Sequence, residues 1–249
     1  MPHSKKTRAK VSKIKRDWNK RVKHLEKLKH KHQSDTYEIT LPHVSLGDLR
    51  RKWSLKQKEP HPAILRNVKN FVRLPSDPNR PLLIYGSDRG LLACRIRLQQ
   101  PELVQQLSDS IDKLPSKISH YKYRGIKRGE YRTRHLGVWA PYMVVPKHTK
   151  EHRQHKKPHD NFLRDNSALW YEISAILGQM APNFFKEFLR YPTGPGLRHG
   201  CDTWAACVVN DGGNNPNQTN IHRDVKESQY GYSCVISCGD FTGGDLCYS

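Results

Sequence analysis

The sequence predicts an α+β fold in which closely spaced strands of a jelly-roll core pack on helices, behind a basic N-terminal arm. Three observations carry this expectation. Apolar residues recur at steps of three and four in several separate segments, the spacing that lines one face of a helix. Short apolar runs bounded by Gly-, Asn- and Asp-rich turns crowd into the last third of the chain. The order, helices first and then strands at short intervals, suits a sheet that rests on helices.

Taken in order, Val11, Ile14, Trp18, Val22, Leu25 and Leu28 place an apolar stripe on one basic helix over residues 5–31. Residues 33–60 show little periodicity and read as a linker. The expected domains are therefore an arm and linker, 1–60, and a folded domain, 61–249. From 61 to 98 the pattern turns to strands. Leu82-Leu-Ile-Tyr85 and Leu91-Leu-Ala-Cys-Arg-Ile96 flank the turn Gly86-Ser-Asp-Arg-Gly90, a hairpin. Pro101 opens a helix through Leu114, with Leu103, Leu107 and Ile111 on one face. Gly137–Val145 is a strand. Asn166 and Ser167 cap a helix that carries Leu169, Ile173, Ile176, Leu177 and Met180. Pro182 starts another, with Phe184, Phe185, Phe188 and Leu189, which ends at the turn Thr193-Gly-Pro-Gly196. Thr203–Val209 is the next strand. After it come the polar loop Asn210–Asn220, the triplet His222-Arg-Asp224, a strand-like run Tyr230–Gly239 and the turn Phe241-Thr-Gly-Gly244.

Charge narrows the partners. The formal net charge is +21, and residues 1–32 hold thirteen Lys and Arg against Asp17 and Glu26. Lys147–Lys157 adds four Lys, one Arg and three His. Such an excess points to a polyanion, with nucleic acid the commonest, although a solvated tail without a target has the same composition. In the arm, Lys5, Lys6, Arg8, Lys10, Arg16 and Arg21 are the candidate phosphate contacts, and its Lys-rich start also fits a nuclear import signal. A second candidate interface lies in residues 116–135, where Tyr121, Tyr123, Arg124, Arg128 and Arg132 interleave rings and cations. That mixture suits a phosphate backbone and unstacked bases; it equally suits an exposed loop whose Tyr rings pack on the core. No run of apolar residues approaches the length of a membrane span, and no apolar segment of a signal peptide follows the basic start. Six cysteines without a C-x-x-C pair suggest a reducing compartment, with a structural zinc site as an open alternative.

His222-Arg-Asp224 carries the most chemistry. A His and an Asp two apart at the mouth of a strand pair can supply two of the three protein ligands of a non-haem Fe(II) site. The triplet alone is cheap, since a chain of this composition contains about one by chance; its setting between a strand, a Gly/Asn loop and a second strand gives it weight. The same residues mimic a protein-kinase catalytic loop, with Asp240-Phe241 in place of its second metal-binding motif. That reading fails. The position needing an Asn is Gln229, the residue after Phe241 is Thr242, and the approach to the triplet is an Asn/Gly loop that no helix tolerates.

From Gly137 to Ser249 the chain resembles the Fe(II)/2-oxoglutarate dioxygenases of the TET/JBP type, especially their fungal expansions. The matching pieces are Gly137-Val-Trp139, Phe162-Leu-x-x-Asn166 with Leu169-Trp170, Asn210, His222-x-Asp224 and Gly239-x-Phe-x-Gly-Gly-x-Leu246. The resemblance implies a double-stranded β-helix and oxidation of the methyl group of 5-methylcytosine or thymine in nucleic acid, with DNA the expected polymer and the nucleus the expected location. It makes His222 and Asp224 iron ligands and Asn210 a contact of 2-oxoglutarate. It also implies a second His and then an Arg downstream of Asp224. The 25 residues that follow Asp224 contain neither, so the expected core is an incomplete double-stranded β-helix, and this chain alone is expected to turn over negligibly. The other reading of such a chain is a non-catalytic, basic nucleic-acid-binding protein derived from such an enzyme.

Overall fold

The computed structural model describes residues 36–49, 77, 79–114, 132–139, 146–190, 200–211 and 231–239. These form an α+β arrangement of two three-stranded sheets and five helices, with no closed barrel among the described residues. The first sheet contains β1 (Tyr37–Leu41), β2 (Leu82–Gly86) and β3 (Leu91–Arg95), in that spatial order. β1 runs parallel to β2, and β2 antiparallel to β3. The hairpin turn is fixed by Asp88. Its carboxylate accepts the backbone N–H groups of Leu46 (3.1 Å), Gly47 (3.0 Å) and Gly90 (3.1 Å), and these hold its pKa below the usual range.

Helix α1 (Glu102–Asp112) follows, with Leu103 and Leu107 buried. The second sheet is antiparallel and has β4 (Arg132–Trp139) at its centre, flanked by the two-residue β5 (Lys147–His148) and by β6 (Ala206–Asp211). Between β5 and β6 lie α2 (Lys150–Gln154), α3 (Lys156–Asp165), α4 (Ser167–Met180) and α5 (Pro182–Arg190). One apolar cluster joins them: Leu103 and Leu107 from α1, Leu136 from β4, Phe162 and Leu163 from α3, Leu169, Trp170 and Ile173 from α4, and Val209 from β6. A smaller cluster packs Leu177 and Ala181 against Phe185 of α5, with Trp204 and Tyr232 at its margin.

The expected hairpin at 82–96, the helix after Pro101, and the helices after Asn166 and at Pro182 are all present. Several expectations need correction. Tyr37–Leu41 lies inside the expected linker but is a strand, its register with Leu82–Gly86 set by main-chain pairing. The strand expected at Gly137–Val145 begins five residues earlier, at Arg132, so residues 132–135 are sheet rather than exposed loop; 140–145 lie outside the described residues. The strand expected from Thr203 starts at Ala206, because Cys201–Trp204 closes on itself as a tight turn with Asp202 at φ 61°. Residues 231–239, within the run Tyr230–Gly239 expected as a strand, make no strand pairing among the described residues; they lie along the core, with Ile236 and Cys238 packed on it and the Tyr232 hydroxyl donating to Leu91 O at 2.7 Å. Asn166 does not cap α4 with its side chain. It is buried at 2% exposure, and its amide donates to Phe162 O and to Ser110 Oγ, both at 2.8 Å, tying α3 to α1. The basic helix expected over 5–31 and the turn Thr193–Gly196 lie outside the described residues.

Candidate functional site

The central sheet has two chemically different faces. Alternation along β4 turns Arg134, Leu136 and Val138 toward the helices, where all three are buried. Register pairs Leu136 with Cys207 and Arg134 with Val209 on that side. The opposite face carries Thr133 and His135 from β4 and, directly across, Asn210 and Val208 from β6. Val208 is 50% exposed and Trp139, further along the same face, 37%. The Thr133 hydroxyl donates to Asn210 Oδ1 at 3.2 Å. Among the described residues, helices thus cover one face and leave the other open.

A bend shapes the open face. In a regular strand residues four apart are separated by roughly 13 Å, yet the His135 and Trp139 rings stack at 5.0 Å with 29° between their planes. Gly137, midway, supplies the bend with φ +94°. A Cβ there would sit 2.5 Å from Ala205 O and 2.9 Å from Ala206 Cα, so the close approach of β6 needs the glycine.

The other edge of β4 is finished by side chains. β5 pairs only with Val138 and Trp139. Beyond it, the β4 backbone is taken up by residues from the start of α2. Thr149 Oγ1 donates to His135 O, Thr149 N donates to Gly137 O at 3.0 Å, Glu151 Oε2 accepts from His135 N, and His152 Nδ1 accepts from Gly137 N at 3.2 Å. Buried main-chain groups must find partners, and here carboxylate, imidazole and hydroxyl stand in for a strand. Burial alone would raise the Glu151 pKa. The hydrogen bonds from the His135 side chain and main chain outweigh it and hold the carboxylate below its usual range.

Behind this edge lies a histidine cluster that the sequence reading passed over. His148 and His152 stack at 4.3 Å between ring centroids, His152 and His159 lie 5.6 Å apart, and His155 and His159 5.9 Å. His152 and His159 are both 0% exposed. With Nδ1 accepting from Gly137, His152 must carry its proton on Nε2, which faces Asp160 Oδ1 at 3.0 Å. Burial pushes the His152 pKa down, partly opposed by Asp160. His159 is depressed to about 4 by burial first, then by His152 and His155. Among the described residues, neither of its ring nitrogens has a hydrogen-bond partner. The spacing His148, His152, His155, His159 marks a helical stripe and was the available signal; it was read only as part of the basic run 147–157.

Of the residues singled out in the sequence, the structure describes the side chain of Asn210 alone, exposed near the end of β6. Arg132 lies in β4, but its side chain is outside the described residues. So are Lys5, Lys6, Arg8, Lys10, Arg16, Arg21, Tyr121, Tyr123, Arg124, Arg128, His222 and Asp224. Among the described residues no three His, Cys, Asp or Glu side chains converge in a way that could hold a metal ion, and no helix is long and apolar enough to cross a membrane. The five described cysteines are free thiols. In comparisons with known proteins, no family model matches the chain and no curated protein matches it.

Proposed function

We propose that the protein is a nuclear, nucleic-acid-directed dioxygenase of the TET/JBP type, dependent on Fe(II) and 2-oxoglutarate, whose substrate is a methylated base, 5-methylcytosine or thymine. The observation that supports this most is the two-faced central sheet. In a jelly-roll oxygenase one wall packs on helices while its inner face carries the site. β5, β4 and β6 make such a wall, with Asn210 on the face the helices leave open and β6 leading into the loop that precedes His222-Arg-Asp224.

The donor chemistry fits the metal: an imidazole and a carboxylate are the ligand types that non-haem Fe(II) takes. His222 and Asp224 would hold it, and Asn210 would contact 2-oxoglutarate. When bound, the iron and 2-oxoglutarate supply the O2-dependent oxidation of the methyl group. The chain's own residues bind and orient the substrate. A base stacked within a duplex is out of reach, so the substrate nucleotide must be flipped or single-stranded. The excess of 44 Lys and Arg over 23 Asp and Glu supplies the attraction to phosphate.

One observation favours a second reading. The residues from Val225 to Ser249 contain neither His nor Arg, so His222 and Asp224 are the two iron ligands that the resemblance offers within this sequence. A non-catalytic, basic nucleic-acid-binding protein would need neither. Anaerobic calorimetric titration with Fe(II) decides between them. The oxygenase reading expects one weak site that disappears in His222→Ala and in Asp224→Ala, together with negligible succinate formation from the chain alone. Iron affinity unchanged by both substitutions, or no affinity at all, overturns it.

A further inference from the structure

We propose that the aromatic end of the open sheet face is a binding platform for an unpaired nucleobase, with Trp139 as the stacking surface and Lys147 and Lys150 holding the adjoining phosphates. The proposal rests on the nucleic-acid reading above but not on iron. Three observations carry it. Trp139 is 37% exposed on a face that no helix among the described residues covers, although a Trp ring gains most by burial. Its ring is already braced, stacked on His135 at 5.0 Å, while His135 is tethered to Glu151 through both its main-chain N–H and Nδ1. A pre-positioned ring loses little freedom when a base lies on it, the property that single-strand binding surfaces share.

Charge selects the occupant. Lys147 is the register partner of Trp139, so the two side chains share a face. Lys147 and Lys150 are exposed, as is Arg153 one turn further along α2. The acidic side chain of that helix, Glu151, is turned inward and is 5% exposed. A bare aromatic beside exposed cations complements a base and its phosphates better than it complements an apolar protein surface.

The test is fluorescence anisotropy of the full chain with a labelled oligothymidylate and a labelled duplex of equal length, in EDTA so that metal plays no part. Trp139→Ala should weaken single-strand binding about tenfold or more and leave duplex binding within about twofold, because paired bases cannot reach the ring. Trp139→Phe, which keeps an aromatic face, should recover most of the loss. Lys147→Glu with Lys150→Glu, both at exposed positions, should weaken binding and flatten its dependence on salt, with the unfolding midpoint measured alongside. Equal losses for single strand and duplex in Trp139→Ala, or unchanged single-strand binding in both the Trp and the Lys variants, overturns the proposal. So does a dimer that dissociates on Trp139→Ala with single-strand affinity intact, which would make the face a contact between copies. Because the assay contains no iron, loss of the oxygenase reading in the calorimetric test would leave this result standing.

Discussion

His152 Nδ1 accepts the backbone N–H of Gly137 at 3.2 Å, while the other nitrogen of the ring faces Asp160 at 3.0 Å. One imidazole thereby completes the edge of β4, fixes its own tautomer and fastens α3 to the sheet. Replacing it removes a buried ring and leaves a buried main-chain donor unpaired. His152→Ala should therefore destabilise the protein by roughly 2–4 kcal/mol. Urea unfolding followed by circular dichroism measures this, and a loss below about 1 kcal/mol would show that water or a neighbouring side chain takes over the bond.

The histidine cluster makes stability depend on pH, in a direction set by the depressed pKa values. His159 titrates at about 4 in the folded chain against 6.5 ordinarily. Above the ordinary value neither folded nor unfolded chain binds the proton, and the contribution is fully present. Between about pH 6.5 and about pH 4 the unfolded chain takes up a proton that the folded chain refuses, so stability falls by about 1.4 kcal/mol per unit. His152, also lowered, adds to the loss as pH drops below 6.5, and Glu151 adds to it as pH drops below 4.5. Urea midpoints taken across this range should fall steadily in the native chain and less steeply in His159→Leu. Parallel slopes would contradict the assignment.

Gly137→Ala should cost about 2 kcal/mol or more, because the left-handed backbone is strained for any other residue and the new Cβ would meet Ala205 O at 2.5 Å. It should also separate the His135 and Trp139 rings. Thermal unfolding and the Trp fluorescence spectrum check the two effects separately. A variant as stable as the native chain would mean that β4 and β6 approach less closely than described.

Much of the secondary structure was readable because local rules govern it. Leu103, Leu107 and Ile111 announce α1, and Pro182 announces α5. Two of the misses share a cause, since each element depends on a partner distant in sequence. Tyr37–Leu41 becomes a strand because β2 lies beside it, and residues 132–135 join the sheet because β6 supplies their register. Asn166 illustrates the limit at one residue. Its position at the start of α4 was correct, but its side chain turns to Phe162 and Ser110 in place of capping. At the candidate site, Asn210 was named by resemblance, and it lies near the end of β6 across from Thr133. The histidine stripe was lost within a count of positive charge, although its spacing was on view.

On the proposed function, the arm would contribute through charge. Deleting residues 1–32 removes thirteen cations and should lower nucleic-acid affinity at low salt by at least about tenfold, with a flatter log–log salt slope. The unfolding midpoint of the remaining chain should not move. If affinity and slope both survive, the phosphate contacts lie elsewhere, with 116–135 and Lys147–Lys157 the next segments to test.

On the proposed function, a metal held by His222 and Asp224 would sit over the face of the sheet that carries Asn210. Nuclear magnetic resonance with a paramagnetic stand-in, Mn(II), tests it most directly. Substoichiometric Mn(II) should broaden the side-chain amide of Asn210 and the methyl groups of Val208, leave those of Val209 on the helix-covered face sharper, and lose its effect in Asp224→Ala. Broadening centred on His148 and His159, or broadening at Asn210 that persists in Asp224→Ala, would contradict the account.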